Sequence, residues 1–305
     1  MKLQKVATVA AIVLLGLVLQ TGEASATHVS CGAVITENTT LHSDVGPCPG
    51  DGIVIGASDI TLDLAHFRVF GMGSSGSVGV RVGELHSRVR ITNGTVAGFG
   101  QSGVYVRSSD NVIERLAVRG NGFGILLEVN RNNRVRGNLV TGNFADGIVT
   151  RVSSDNAIES NVISQNGGLG VFIGGPVVLD GVVVPVTGNR VVGNSIFNNG
   201  TDGVMLAGAA AEVRGNSITS NGRNGLFALV TDIRPGLRQC CALMQGNHIV
   251  GNAADGVLVQ GSNNRILTNT VFANRRFDLA DANPACDANT WMGNQFGTRN
   301  QPCIS

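Results

Sequence analysis

Between Gly124 and Asn166 the chain states one short phrase twice in full. The first copy is Gly124-Ile125-Leu126-Leu127, a polar turn, then Val135-Arg136-Gly137-Asn138-Leu139-Val140-Thr141-Gly142-Asn143. The second is Gly147-Ile148-Val149-Thr150, a polar turn, then Ile158-Glu159-Ser160-Asn161-Val162-Ile163-Ser164-Gln165-Asn166. A unit this short cannot enclose its own apolar side chains. It must stack on further copies, so that one apolar column runs through all of them.

The copies extend in both directions. Rungs start at Gly52, Gly79, Gly103, Gly124, Gly147, Gly170, Gly203, Gly225 and Gly256, with a partial echo at Asp278-Leu279. After each start, apolar residues alternate as in a half-buried strand: Val104 and Val106, Ile125 and Leu127, Val171 and Ile173, Val257 and Val259. A second stripe is Ile113, Val135, Ile158, Val191, Val213, Met244 and Ile266. A third is Val118, Val140, Ile163, Ile196, Ile218, Ile249 and Val271. Three short strands per turn, rich in β-branched residues, predict three parallel sheets around a packed interior. The expected divisions are a cap over residues 27–51, repeats over 52–278 and a second cap over 279–305. In the second cap the sole tryptophan, Trp291, is expected to anchor the fold over the last rung.

Two asparagine files mark the corners. One is Asn138, Asn161, Asn194, Asn216, Asn247 and Asn269; the other is Asn121, Asn143, Asn166, Asn199, Asn221, Asn252 and Asn274. Amides stacked one rung apart, about 4.8 Å along the axis, can bond to one another and to turn backbone. Asn also tolerates the left-handed backbone that a sharp corner requires. These files read as structure. Asp146, Asp202 and Asp255, each just before a rung glycine, read as turn caps in the same way.

Residues 1–26 stand outside this pattern. Lys2 and Lys5, an apolar run from Val6 to Leu19 and then Ala24-Ser25-Ala26 follow the plan of a cleaved secretory signal, and the run is too short to span a bilayer. Its removal takes 22 basic residues to 20, all arginine, and 21 acidic ones to 20. That balance argues against nucleic acid as a partner. All six cysteines follow the signal, as suits an oxidising compartment outside the cytoplasm. Cys31 with Cys48, and Cys286 with Cys303, bracket the two terminal segments, and each pair is expected to close a cap. Cys240 and Cys241 are left as neighbours, for a vicinal disulfide or a partner chain.

Units such as Asn143-Phe144-Ala145-Asp146-Gly147-Ile148 and Ser153-Ser154-Asp155-Asn156-Ala157-Ile158 resemble the repeats of the pectin-lyase-like superfamily. They are most similar to periplasmic copper-associated NosD-type proteins and bacterial secreted repeat proteins. The resemblance covers about residues 52–274. It implies an all-β, single-stranded right-handed parallel β-helix, and a fold that carries lyases, hydrolases, epimerases and adhesins alike. The Asp-Pro-His motif of alginate epimerases is missing, as is the Gly-His-Gly and paired-Asp pattern of polygalacturonase relatives, so no catalytic residue carries over by position. Copper would want soft ligands. Cys240, Cys241, Met244 and His248 lie close in sequence, but the repeat places Met244 inward and His248 outward, and no metal site is expected.

Candidate chemistry therefore falls on the rungs that break the period. The rung from Gly170 carries Val177-Val178-Leu179-Asp180-Gly181-Val182-Val183-Val184, two β-prone runs about an Asp-Gly turn. The rung from Gly225 carries Thr231-Asp232-Ile233-Arg234-Pro235-Gly236-Leu237-Arg238. Both insertions leave after the first strand, so Asp180, Asp232, Arg234 and Arg238 are the candidate site. Carboxylates there would serve as acid and base, and arginines would hold a sugar carboxylate. A second feature is an outward apolar row on the first strand: Tyr105, Leu126, Val149, Phe172, Met205, Phe227 and Leu258. Such a row is either covered by the chain or an interface with another protein. Glu114, Arg136 and Glu159, one rung apart on the second strand, read as a surface charge ladder.

Two functions follow from these readings. One is a non-catalytic binding or surface protein for a polysaccharide or a protein, without cofactor. The other is a lyase or epimerase on acidic polysaccharide, with calcium as the cofactor if a lyase.

Overall fold

The computed structural model describes residues 28–180, 182–208, 210–229, 241–286 and 288–305. The segment expected to be a signal, residues 1–26, lies outside them. The described chain is a parallel β-solenoid whose first sheet has eleven strands in chain order, from Ala33–Ile35 to Leu279–Asp281. Register is kept rung after rung: Ile125 pairs with Ile148, Ile148 with Val171, and Val171 with Val204. The second and third sheets are separate strands in most rungs. Around Arg90–Ala97 and Val112–Arg119 single long strands run through both.

The three stripes converge as expected. Val104, Ile125, Ile148 and Val171, then Ile113, Val135 and Val191, then Val118, Val140, Ile163 and Ile196 are all at 0% exposure in one continuous core. Parallel sheets with this interior need side chains that fill space beside a flat backbone, and β-branched residues do so with little rotamer freedom to lose.

The terminal segments are more than caps. Ala33–Ile35 pairs with Ile53–Ile55, Thr39–Thr40 with Thr61–Asp63, and Val45–Cys48 with Arg68–Gly71. Residues 33–48 thus form a complete rung ahead of Gly52. At the other end Leu279–Asp281, Thr290–Met292 and Gln295–Phe296 form the last rung. The Cys31–Cys48 and Cys286–Cys303 disulfides are present, each closing a separation of 17 residues. Trp291 pairs in register with Ile266, is 5% exposed, and donates its indole N–H to Asp281 at 3.0 Å. It anchors the last rung from inside.

The asparagine files are continuous hydrogen-bonded ladders. Asn138 donates its side-chain amide to Asn161 Oδ1 at 2.9 Å, Asn161 to Asn194 at 3.0 Å, and Asn194 to Asn216 at 3.0 Å. Each Asn oxygen also accepts the backbone N–H of the Asn one rung before it, as Asn161 does from Asn138 at 3.0 Å. The left-handed backbone at these corners belongs to the residue before the Asn, not to the Asn itself: Gly137, Ser160, Gly193 and Thr268 all have positive φ. The Asn stays free to aim its amide along the axis. A third file, Asn111, Asn133, Asn156 and Asn189, runs between first and second strands, lapses at Ala211 and Ala242, and returns at Asn264 and Asn289.

Candidate functional site

The insertion after Phe172 is the expected hairpin, with Val177–Leu179 antiparallel to Val182–Val184. Asp180 sits at its turn, exposed and with φ of 48°. Asp232, Arg234, Arg238 and Cys240 lie outside the described residues, so Asp180 is the one member of that candidate group with a place in the structure. Cys241 is disulfide-bonded. Met244 is fully buried and His248 is exposed, so these two soft donors face opposite sides of the wall.

The outward apolar row does not lie open. Tyr105, Leu126 and Val149 are buried in an outer cluster with Val78, against which Phe123 and Phe172 pack. Phe227 and Leu258 form another with Ala280, flanked by Met205. Arg151 lies 5.1 Å from the Phe123 ring centroid and Arg81 lies 5.4 Å from that of Tyr105. The Tyr105 hydroxyl donates to Glu128 at 2.5 Å, and burial together with this bond pushes its pKa up to about 12.

The turn aspartates are structural. Asp146 accepts the Leu169 N–H at 2.7 Å, and Asp202 accepts both the backbone and side-chain N–H of Asn224 at 2.9 and 2.7 Å. Burial raises the pKa of Asp146, against the opposing pull of the Leu169 amide and Arg151.

Among the described residues, concave surface lies on the second sheet and the corner leading into it. Three clefts adjoin there. One of about 410 Å3 lies at the foot of the hairpin, with Val184 and Pro185 facing Arg131 and Asn130. It shares Asp155 with a second of about 310 Å3, lined also by Asp110, Arg134 and Arg190. That one shares Arg190 with a third of about 390 Å3, which adds Glu212 and Arg214. The corner is built to hold Asp155 close: Gly188, at φ +72°, would bring a Cβ within 2.0 Å of the Asp155 carboxylate.

Register explains the lining. Arg90, Val112, Arg134, Ala157, Arg190 and Glu212 succeed one another on adjacent rungs of one outward file. Beside it run Thr92, Glu114, Arg136 and Glu159. Glu114 is surrounded by three guanidinium groups: Arg90, Arg115 at 3.1 Å and Arg136 at 2.6 Å. Glu159 is held by Arg134 at 2.8 Å and Arg190 at 3.3 Å. A carboxylate this enclosed persists because it is paired, but here it is outnumbered. The side chain of Glu114 is 3% and that of Glu159 20% exposed, whereas those of Arg90, Arg134, Arg136 and Arg190 are 40 to 50% exposed. Along these two files water therefore meets arginine, with Glu114 and Glu159 beneath it, while Asp110 and Asp155 stand exposed at the neighbouring corner.

The sequence reading treated Glu114, Arg136 and Glu159 as a ladder without function and did not single out Arg90, Arg134 or Arg190. A signal was available: each is the residue immediately before an inward second-stripe position, namely Ile91, Val135 or Val191.

The chain matches the family described as right handed beta helix region over residues 51–176 and 86–242, together more than half its length, and it belongs to that family. No curated protein is similar to it in sequence. Among solved structures it resembles the Azotobacter vinelandii mannuronan C-5 epimerase AlgE6 A-module, with 17% identity and a TM-score of 0.57 over 88% of this chain and 75% of that one. It resembles the periplasmic alginate epimerase AlgG with 16% identity and a TM-score of 0.60, over 91% of this chain and 77% of that one. It also resembles tailspike protein 2 of Escherichia coli O157:H7 bacteriophage CAB120, with 14% identity and a TM-score of 0.61, over 87% of this chain and 42% of that one. These likenesses establish the fold. Among the described residues no helix is long and apolar enough to cross a membrane.

Proposed function

We propose that this protein is an exported β-helix that binds an extended polysaccharide along its second sheet without altering it chemically. The observation that carries the reading is the line of three adjoining clefts, each lined by arginine and joined through Asp155 and Arg190. A linear polymer suits a line of shallow clefts better than a compact ligand, which would need one enclosed pocket. Solved structures of similar fold include enzymes named for mannuronan and alginate, which supports a sugar polymer as the ligand class. The disulfides at both ends suit an oxidising compartment outside the cytoplasm.

The catalytic alternative rests on Asp110 and Asp155, which line the same cleft. They stand two rungs apart, about 10 Å by strand spacing, wider than the roughly 5 Å of a retaining carboxylate pair and at the upper edge of the roughly 6.5–9.5 Å of an inverting one. Both are exposed, and Asp110 already accepts from Asn132 at 2.5 Å. The test is to pass the protein lacking residues 1–26 over immobilised polysaccharides, neutral and acidic, and to incubate it with the same polymers with and without calcium. Retention on at least one polymer, with no unsaturated or shortened product, is the expected outcome. Failure to be retained on any polymer removes the reading, and unsaturated or epimerised products replace it with a lyase or an epimerase.

A further inference from the structure

We infer that the second-sheet face is a ruler for a polyanion: it binds a polyuronate strand lying parallel to the solenoid axis, with its carboxylates on Arg90, Arg134 and Arg190. This rests on the binding function proposed above and names its ligand class.

Three observations converge on it. The first is spacing. Arg90, Arg134 and Arg190 occupy alternate rungs of one file, with Val112 and Ala157 between them. Two strand spacings make about 10 Å, so the three arginines leave the wall in a straight row at that interval, Arg90 leaning on Glu114 and Arg134 and Arg190 flanking Glu159. In an extended polymer whose units alternate faces, acid groups on one side recur at every second unit. The short apolar side chains between the arginines leave room for the apolar face of the intervening ring.

The second is unspent bonding capacity. Arg134 reaches Glu159 through Nε, and Arg136 reaches Glu114 through Nε. A guanidinium has five N–H donors in a planar fork that matches a carboxylate in two-pronged fashion. The terminal nitrogens of both residues have no protein acceptor among the described residues. Arg90 and Arg190 reach Glu114 and Glu159 through Nη2, so the two glutamates hold all four arginines while leaving each guanidinium further N–H groups for a ligand.

The third is what the face omits. The aromatic share of the chain is 4%, and no aromatic side chain lines any of the three clefts. Neutral sugars and nucleic-acid bases are commonly gripped by stacking on rings. A ligand taken here is held by charge and hydrogen bonds, which selects an acid-bearing sugar chain.

The experiment measures binding of uronate oligomers of increasing length, a sulfated polysaccharide, a neutral glucan, and double- and single-stranded nucleic acid, by calorimetry at low and physiological salt. The variants are wild type, the triple Arg90→Gln/Arg134→Gln/Arg190→Gln, and Arg119→Gln, an exposed arginine of the third sheet. Affinity is expected to rise stepwise once the oligomer spans two and then three arginines, the full row covering about 19 Å, and to fall with salt because the charges are exposed. The triple variant is expected to bind at least about tenfold more weakly, or about 1.4 kcal/mol, with Arg119→Gln unchanged. Circular dichroism and urea midpoints confirm that the triple variant is folded. If it is not, the singles Arg134→Gln and Arg190→Gln carry the test, each expected to remove one length step. Equal binding by folded variant and wild type overturns the inference. So does preference for the neutral glucan, which leaves the binding function standing, and so does tighter binding to the sulfated polymer or to nucleic acid than to any uronate.

Discussion

Replacing Asn161 by alanine tests whether the amide ladders hold the corners of the solenoid or only decorate them. Asn161 is 1% exposed and its side chain takes part in four hydrogen bonds. It donates to Val135 O at 2.9 Å and to Asn194 Oδ1 at 3.0 Å, and it accepts the backbone and side-chain N–H of Asn138 at 3.0 and 2.9 Å. Asn161→Ala leaves two donors of Asn138 and the Val135 carbonyl without these partners, in a wall that water does not reach. At roughly 1 to 3 kcal/mol for each buried group left unsatisfied, and allowing for relaxation, the loss comes to about 3 to 6 kcal/mol. That is a large share of the roughly 5 to 15 kcal/mol that holds a folded domain together. Urea unfolding followed by circular dichroism should show a midpoint well below wild type. Ser195→Ala, a half-buried outward position of the next rung, should move it by no more than about 0.5 kcal/mol. Because each rung touches only its neighbours, Asn294→Ala in the last rung should cost less than Asn161→Ala. A loss below about 1 kcal/mol at Asn161 would refute the argument and leave the apolar stripes as the whole support of the column.

Two further outcomes follow from single chromophores. Tyr105 is the sole tyrosine, so absorbance at alkaline pH reports it alone; its ionisation should centre near 12 and return toward 10, the ordinary value, on unfolding. Since the folded state favours the protonated phenol, this stabilisation is full below pH 10 and lost between 10 and 12, and Tyr105→Phe should flatten that part of a stability-against-pH curve. Trp291 is the sole tryptophan, and removal of the Cys286–Cys303 bond by a double serine substitution should cost about 3 kcal/mol by loop closure. It should also shift Trp291 emission to the red at urea concentrations where the far-ultraviolet signal is still native, because the last rung frays first. Coincident transitions would show that the end is not an independent unit.

The scaffold was legible because a stacked repeat writes its geometry many times over. Ile125, Val135 and Val140 each recur with the same neighbours, and the same three side chains prove fully buried. Two errors arose where the repeat is silent. The left-handed corner was given to Asn161, whereas it belongs to Ser160, because side-chain periodicity marks which residue is fixed and not which φ it adopts. The first rung was read as a cap, with Ala33-Val34-Ile35 at most an edge strand, because the segment is polar and punctuated by Pro and Gly; yet Gly32 opens it as Gly52 opens the next rung, and Ala33-Val34-Ile35 pairs in full register with Ile53-Val54-Ile55. Asp180 stood out because its rung breaks the period with an Asp-Gly turn, and the structure places it at the exposed tip of that hairpin. Arg134 was passed over because it sits in a regular rung, where residues are expected to be structural.

Formal neutrality is the sequence property that most conceals this surface. Over residues 27–305 the count of 20 arginines against 20 acids treats every charge as equally visible to a ligand, and the fold does not. Glu114, Asp202, Asp255, Asp278 and Asp281 are all at most 2% exposed. Four of them are spent on the backbone and side-chain N–H groups of the corners and the last rung. Arginine cannot be consumed in the same way: it only donates, and its long stem carries the charge to the rim of any wall it starts from. A solenoid uses carboxylates as acceptors inside its corners and leaves guanidiniums outside, so an overall neutral chain of this kind tends toward a cationic exterior. Which side bears that excess is then set by register. Arginine on alternate rungs of one file, beside a file of enclosed glutamates, concentrates it on the second sheet, where a long anionic ligand can meet several charges in a row.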